Sequence, residues 1–160
     1  MQARDAVSPR MLWERFAPTV FRLLRRTFGT EHPDDDVVQD VFLRVVAAAP
    51  RGADDASLRP IVLSAIARAA CNHLRWRRLR GRPRTSASSE LVKLYRALRR
   101  LRARDQVAFA FHFIDGMDVR EVAVALGDSL PRTDRRLARA WNEVAAQVGS
   151  SGRSLGARAS

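Results

Sequence analysis

A chain of 160 residues with 46% hydrophobic content can hold one packed domain or two small ones. Its formal net charge of +12, carried almost wholly by arginine since Lys93 is the single lysine, is unusual for a cytosolic enzyme and points to a polyanion, nucleic acid above all; genomic base composition is a second source of the arginine bias. Cys71 is the only cysteine, which excludes a disulfide framework and a cysteine metal cluster and fits a reducing cytoplasm; no signal peptide is evident after Met1, and no run approaches the roughly 18 apolar residues of a membrane span.

Ser8 and Pro9 offer an N-cap followed by proline at the first helical position. Leu12, Phe16, Val20, Leu23 and Leu24 then line one face up to Phe28 and Gly29, a helix of about five turns in which Pro18 should produce a kink. A second helix follows. Pro33 suits its first position, Asp34, Asp35 and Asp36 sit where the helix dipole favours negative charge, and Pro50 stops it. Val37, Val38, Val41, Phe42, Val45 and Val46 form its apolar face, and at about 100° per residue Leu43 falls opposite, among Asp36, Gln39 and Asp40. Framed this way, Leu43 is either part of a docking surface for a partner protein or a lone exposed leucine on a solvated face.

A polar loop over 51–56 leads to Ser57, a candidate cap for a third helix. Val62, Leu63, Ile66, Ala70 and Leu74 make its buried stripe, while Arg68, Asn72, Arg75 and Trp76 share the opposite face. Arginine, an amide and an indole together provide phosphate contact, base hydrogen bonding and stacking, a combination suited to a partly melted strand; the alternative is a solvated basic face with one semi-exposed tryptophan. The run from Arg75 to Arg84 is the densest positive charge in the chain.

Residues 81–89, rich in Gly, Pro and Ser, break the helical period and read as a flexible linker. Beyond it Leu91, Leu94, Tyr95, Leu98 and Leu101 form one helix, and Asp105 begins another that carries Val107, Phe109, Phe111 and Phe113. Asp118 and Glu121 make a candidate capping box for a short helix through Val122, Ala123 and Leu126 that ends at Gly127. A tight turn at Asp128 and Ser129 enters a long last helix, completing a helix-turn-helix pattern. Leu130, Thr133, Leu137, Ala140, Trp141, Val144 and Val148 are expected to face the core, and Arg132, Arg135 and Arg139 to face outward, either as a recognition face or as a solvated one. The tail over 149–160 has too little apolar content to pack and reads as disordered. The histidines His32, His73 and His112 have no cysteine or histidine at ligand spacing, so no metal, cofactor or catalytic constellation is expected.

Four stretches resemble the extracytoplasmic-function group of bacterial RNA polymerase sigma factors, of the sigma-70 family. Asp36-Val37-Val38-Gln39-Asp40-Val41-Phe42-Leu43-Arg44 resembles that group's polymerase-binding helix, and Leu12-Trp13-Glu14-Arg15-Phe16, with Pro18 behind it, resembles its opening helix. Ile66-Ala67-Arg68 and His73-Leu74-Arg75 resemble the promoter-melting helix, with the spacing one residue short and Val62 where tryptophan is common. Met117, Glu121, Val122, Ala123, Leu126, Gly127, Ser129, Arg136, Leu137, Arg139 and Ala140 fit the domain that reads the minus-thirty-five element, whereas Asp128, Pro131, Thr133 and Asp134 depart from it.

The resemblance implies an all-α protein of two small helical domains: 8–80 for polymerase and the minus-ten element, the linker 81–89, a helix-turn-helix domain over 90–148, and the tail 149–160. It implies a non-enzyme that binds core RNA polymerase through Asp36, Gln39, Asp40 and Leu43. Arg68, Asn72, Arg75, Trp76 and Arg77 are expected on the locally melted minus-ten strand, and Ser129, Arg132, Arg135, Arg136 and Arg139 in the double-stranded minus-thirty-five groove. Asp134 is expected to alter promoter reading rather than abolish it. The implied setting is the bacterial cytoplasm at the nucleoid, with room for an anti-sigma factor as a further partner. A sigma-like interaction protein without promoter reading and a standalone helix-turn-helix regulator are the rivals, the latter lacking a spare apolar face for a dimer.

Overall fold

The computed structural model describes residues 7–79 and 90–156, with residues 150–156 described for their backbone alone; the expected linker 81–89 lies outside the described residues. Among the described residues seven α-helices follow one another: α1 Pro9–Phe28, α2 Asp35–Ala48, α3 Asp55–Leu79, α4 Glu90–Leu98, α5 Ala103–Phe109, α6 Val119–Leu126 and α7 Leu130–Gly156. The fold is all-α, as the periodicity requires.

Local chemistry explains most helix ends and corrects some expected ones. At the end of α1 the chain turns through Gly29 in the left-handed region at φ 66°, and the Gly29 amide donates to the Arg25 carbonyl at 2.8 Å. Glycine is required there twice over, because a Cβ would also stand 2.5 Å from the Tyr95 ring. Helix α2 starts at Asp35, so Pro33 lies ahead of the cap residue Asp34, whose carbonyl takes the first amide, Val37, at 3.0 Å. The cap of α3 is Asp54 rather than Ser57: its carboxylate accepts from the Ser57 amide at 2.9 Å and from the Ser57 hydroxyl. Those bonds hold the exposed Asp54 carboxyl below its ordinary pKa. Asp118 caps α6, accepting from the Arg120 amide at 2.7 Å, but Glu121 leaves the box open and pairs with Arg59 of α3 at 2.9 Å. Helix α7 continues to Gly156, past the expected start of the tail, because no proline interrupts it and each added residue extends an existing ladder.

Helix α3 is the hub. The expected stripe of Val62, Leu63, Ile66, Ala70 and Leu74 is buried against α1 and α2. Ala65, Ala67, Ala69 and Cys71 are buried as well, because α5 and α6 pack on a second flank of the same helix. One continuous core therefore joins Leu12, Leu23, Val41 and Ile66 of the first half to Val107, Phe111, Val122 and Leu137 of the second. A smaller core collects Leu98, Leu101, Phe109, Ala140 and Val144. Phe109 and Phe111 cannot share a helix face, and they enter different cores. The turn after α5 is π-helical over Ala110–Ile114 and carries Phe113 toward Trp141, their ring centroids 4.9 Å apart. Trp141 is 50% exposed at this rim and Leu130 is 40% exposed at the start of α7, so neither faces the core as expected.

His73 fastens α3 to the turn before α2, its ring 4.8 Å from Phe28 and its Nε2 3.3 Å from the Asp34 carboxylate. Burial depresses its pKa from the ordinary 6.5, with Asp34 opposing and the Arg77 charge assisting. The folded chain thus resists a proton that the unfolded chain accepts, so the stability from this residue is complete above pH 6.5 and is lost as pH falls through that value toward the lower folded one. Thermal melts between about pH 7.5 and about pH 5.5 should show Tm falling on acidification, and His73→Gln should flatten the slope; an unchanged slope would place the titration elsewhere.

Candidate nucleic-acid and partner interfaces

The outward face of α2 forms as the periodicity requires. Leu43 is 62% exposed, Asp36 and Gln39 are exposed beside it, and the half-buried Asp40 is held by Arg44 at 3.0 Å. The four expected residues share one surface. Trp13 of α1 extends its apolar margin, its ring tilted against Phe42, the neighbour of Leu43, with centroids 4.8 Å apart, and meeting Phe21 edge-on at 6.0 Å.

With α1 and α2 on one flank of α3 and α5 and α6 on the other, the central part of that long helix reaches solvent along a narrow strip, while residues 55–57, 59–60 and 78–79 are exposed at its ends. Arg68, Asn72, Arg75 and Trp76 occupy it, Trp76 at 61% exposure, and Arg77 is half-buried at its side. The indole of Trp76 thus lies near the end of α3 beside two arginines and an amide. Arg78 donates to the Arg99 carbonyl at 3.4 Å, which ties the end of α3 to the second half. Arg80, Arg82 and Arg84, the remainder of the basic run, lie outside the described residues.

Helices α6 and α7 form the expected helix-turn-helix, turning at Gly127 with φ 64°. Ser129, Arg132, Arg135 and Arg139 are exposed along α7. Arg136 is not with them: it is 8% exposed, and its guanidinium lies between Asp105 and Asp128, with Nε 3.0 Å from Asp128. At about 100° per residue it borders the buried stripe of Thr133, Leu137 and Ala140, and two buried carboxylates draw it inward. Arg139 reaches the same Asp105 at 3.1 Å, Arg104 reaches Asp128 at 3.1 Å, and Arg132 stands 3.7 Å from Asp128. Sequence reading missed this cluster. Asp105 looked like a helix start and Asp128 like an aberrant turn residue, whereas both anchor the arginine side of α7 to the core.

A helix-turn-helix with outward arginines is joined here to a bundle that exposes a basic strip on α3 and a separate acidic face on α2, an arrangement consistent with a DNA-binding protein. Comparison with protein families bears this out. Residues 12–80 match the model of sigma-70 region 2 and residues 91–142 that of sigma-70 region 4. The chain belongs to the sigma-70 family, with the domain pair of an extracytoplasmic-function sigma factor: it binds core RNA polymerase and recognises promoters. This is not an enzyme family. No curated protein matches the chain. No helix among the described residues is long and apolar enough to cross a membrane.

Proposed function

We propose a division of labour among the three surfaces. Asp36, Gln39, Asp40 and Leu43 dock on core polymerase, acids and amide fixing the orientation while Leu43 supplies the apolar contact. Arg68, Asn72, Arg75, Trp76 and Arg77 hold the opened minus-ten strand, and Ser129, Arg132, Arg135 and Arg139 enter the minus-thirty-five groove. Arg136 takes no part in reading DNA, because both of its carboxylate partners lie inside the fold. The domains run over 8–80 and 90–148, and the protein works in the cytoplasm at the nucleoid. The α2 face is also open to an anti-sigma factor, which would compete with polymerase for it.

The observation that carries this reading is the exposed Trp76 at the end of the α3 strip. Trp76→Ala should weaken strand opening by about 1–3 kcal/mol, the usual worth of stacking one base, and leave polymerase binding intact. Permanganate footprinting of a promoter with polymerase and the purified chain measures it: unchanged thymine reactivity in the variant would remove Trp76 from the melted strand. The minus-thirty-five half contributes less to affinity than its arginine count suggests, since Arg132 and Arg139 each face a carboxylate of their own chain.

A further inference from the structure

Four arginines crowd the first turns of α7, where the helix dipole is already positive. Arg132 and Arg136, like Arg135 and Arg139, stand four residues apart, a spacing at which like charges repel. Two carboxylates from elsewhere offset this, and both are buried: Asp105 of α5 and Asp128 in the turn before α7, their side chains 2% and 4% exposed. The contacts form a row. Arg132 stands 3.7 Å from Asp128, Asp128 takes Arg136 at 3.0 Å, Arg136 also reaches Asp105, and Asp105 takes Arg139 at 3.1 Å and 3.2 Å through its two oxygens. Arg104 ties the row to α6, donating to Asp128 at 3.1 Å and to the Leu126 carbonyl.

The middle of the row is sealed and its ends are open. Arg136 is buried, whereas Arg132 and Arg139, about two turns apart on one face, are exposed. Anchoring α7 does not require these outer pairs, since Arg136 by itself joins both carboxylates to the helix. A guanidinium carries its N–H donors in a rigid plane. Arg139 commits one terminal nitrogen to Asp105, which leaves its Nε and its other terminal nitrogen for a duplex, and the buried carboxylate fixes the plane in which they point. Held this way, the side chain surrenders little rotamer freedom on entering a groove, which favours acceptors that lie where it points. It also gains less from a phosphate met at random, because its charge is already shared with Asp105. Arg132 stands in the same relation to Asp128 at the other end.

We propose that Asp105 and Asp128 are specificity-determining residues of promoter reading: they position Arg139 and Arg132 and restrain them from indiscriminate phosphate contact. This rests on the assignment of the α7 face to the minus-thirty-five groove given above. Asp128 departs from the sigma pattern, and the row gives that departure a role. The Asp105–Arg139 pair offers the sharper test, its contacts being the shorter. Two fragments read the effect: a genomic fragment on which polymerase carrying the wild-type chain starts discrete transcripts, and the same fragment with its minus-thirty-five bases scrambled. Preference is the ratio of the two affinities for polymerase reconstituted with the full chain. A salt series with the free full-length chain on a short random-sequence duplex gives the non-specific binding.

Asp105→Asn should tighten binding to the random duplex about fivefold and steepen its salt dependence by about one ion, while preference falls about fivefold. In an Arg139→Gln background the same substitution should shift random-duplex binding less than about twofold, because it acts through Arg139. A shift of full size there would make the effect one of net charge and overturn the proposal. Equal weakening on the native and scrambled fragments, in step with a lowered unfolding midpoint, would make Asp105 an anchor only and overturn it too. Should Asp105→Asn fail to fold, Arg139→Lys carries the test, since lysine keeps the charge but not the fork. Preference should then fall about fivefold with random-duplex binding within about twofold of wild type, and undiminished preference would overturn the proposal. Absence of discrete starts with the wild-type chain, or preference unchanged in Arg139→Gln, would sink the groove assignment itself. Preference lost in Arg139→Gln but kept in Asp105→Asn would overturn the positioning role alone.

Discussion

Replacing Arg136 by alanine is expected to cost the fold about 3 kcal/mol, while replacing Arg135 costs less than about 0.5 kcal/mol. The two neighbours differ only in where the structure puts them. Arg136 is the cation between Asp105, 2% exposed, and Asp128, and its removal leaves two buried carboxylates short of their partner; Arg139 and Arg104 remain near one carboxylate each and soften the loss. Arg135 is exposed on the outward face. Its loss should weaken binding to duplex promoter DNA in the polymerase complex and lower the salt dependence by about one ion. Denaturant unfolding of the full chain and promoter binding across a salt series measure the two effects separately. A stable Arg136→Ala chain that bound promoter poorly would reverse the assignment and return Arg136 to the groove.

Substituting Leu43 by aspartate is expected to weaken core polymerase binding about thirtyfold, or about 2 kcal/mol, with stability unchanged within about 0.5 kcal/mol. At 62% exposure Leu43 contributes little to its own fold, so nearly all of the effect should fall on the partner. The added charge lands among Asp36 and Asp40, so it removes an apolar anchor and crowds like charges at once. Asp40→Arg would act similarly but would also free Arg44 from its 3.0 Å pair, which makes Leu43→Asp the cleaner experiment. Titration of labelled chain with core polymerase reads the affinity, and a change below about threefold would leave Leu43 an exposed leucine on a solvated face.

What sequence reading grasped is what adjacent turns of one helix decide among themselves. Valine spacing in α2 placed Leu43 outward, the Arg68 to Trp76 spacing produced the strip on α3, and Asp118 with Gly127 bounded α6, because each signal acts over about four residues. It went wrong where a distant group competed for a residue that looked locally committed. Glu121 could have closed its own capping box but pairs with Arg59, 62 positions away. Arg136, fitting a reading-helix pattern, is claimed by Asp105, 31 positions away.

The sequence by itself therefore determined the described helices in outline, the outward faces of α2 and α3, and the family. Tertiary structure alone decided that the two halves share a core. The physical reason lies in the second buried flank of α3: alanine buries too little apolar surface to mark a face in the periodicity, and it gains a partner only when another helix comes close enough to need a small side chain. Asp115 gave no signal for the same kind of reason, since the arginines it holds are 89 and 93 residues away, and only packing brings them within reach.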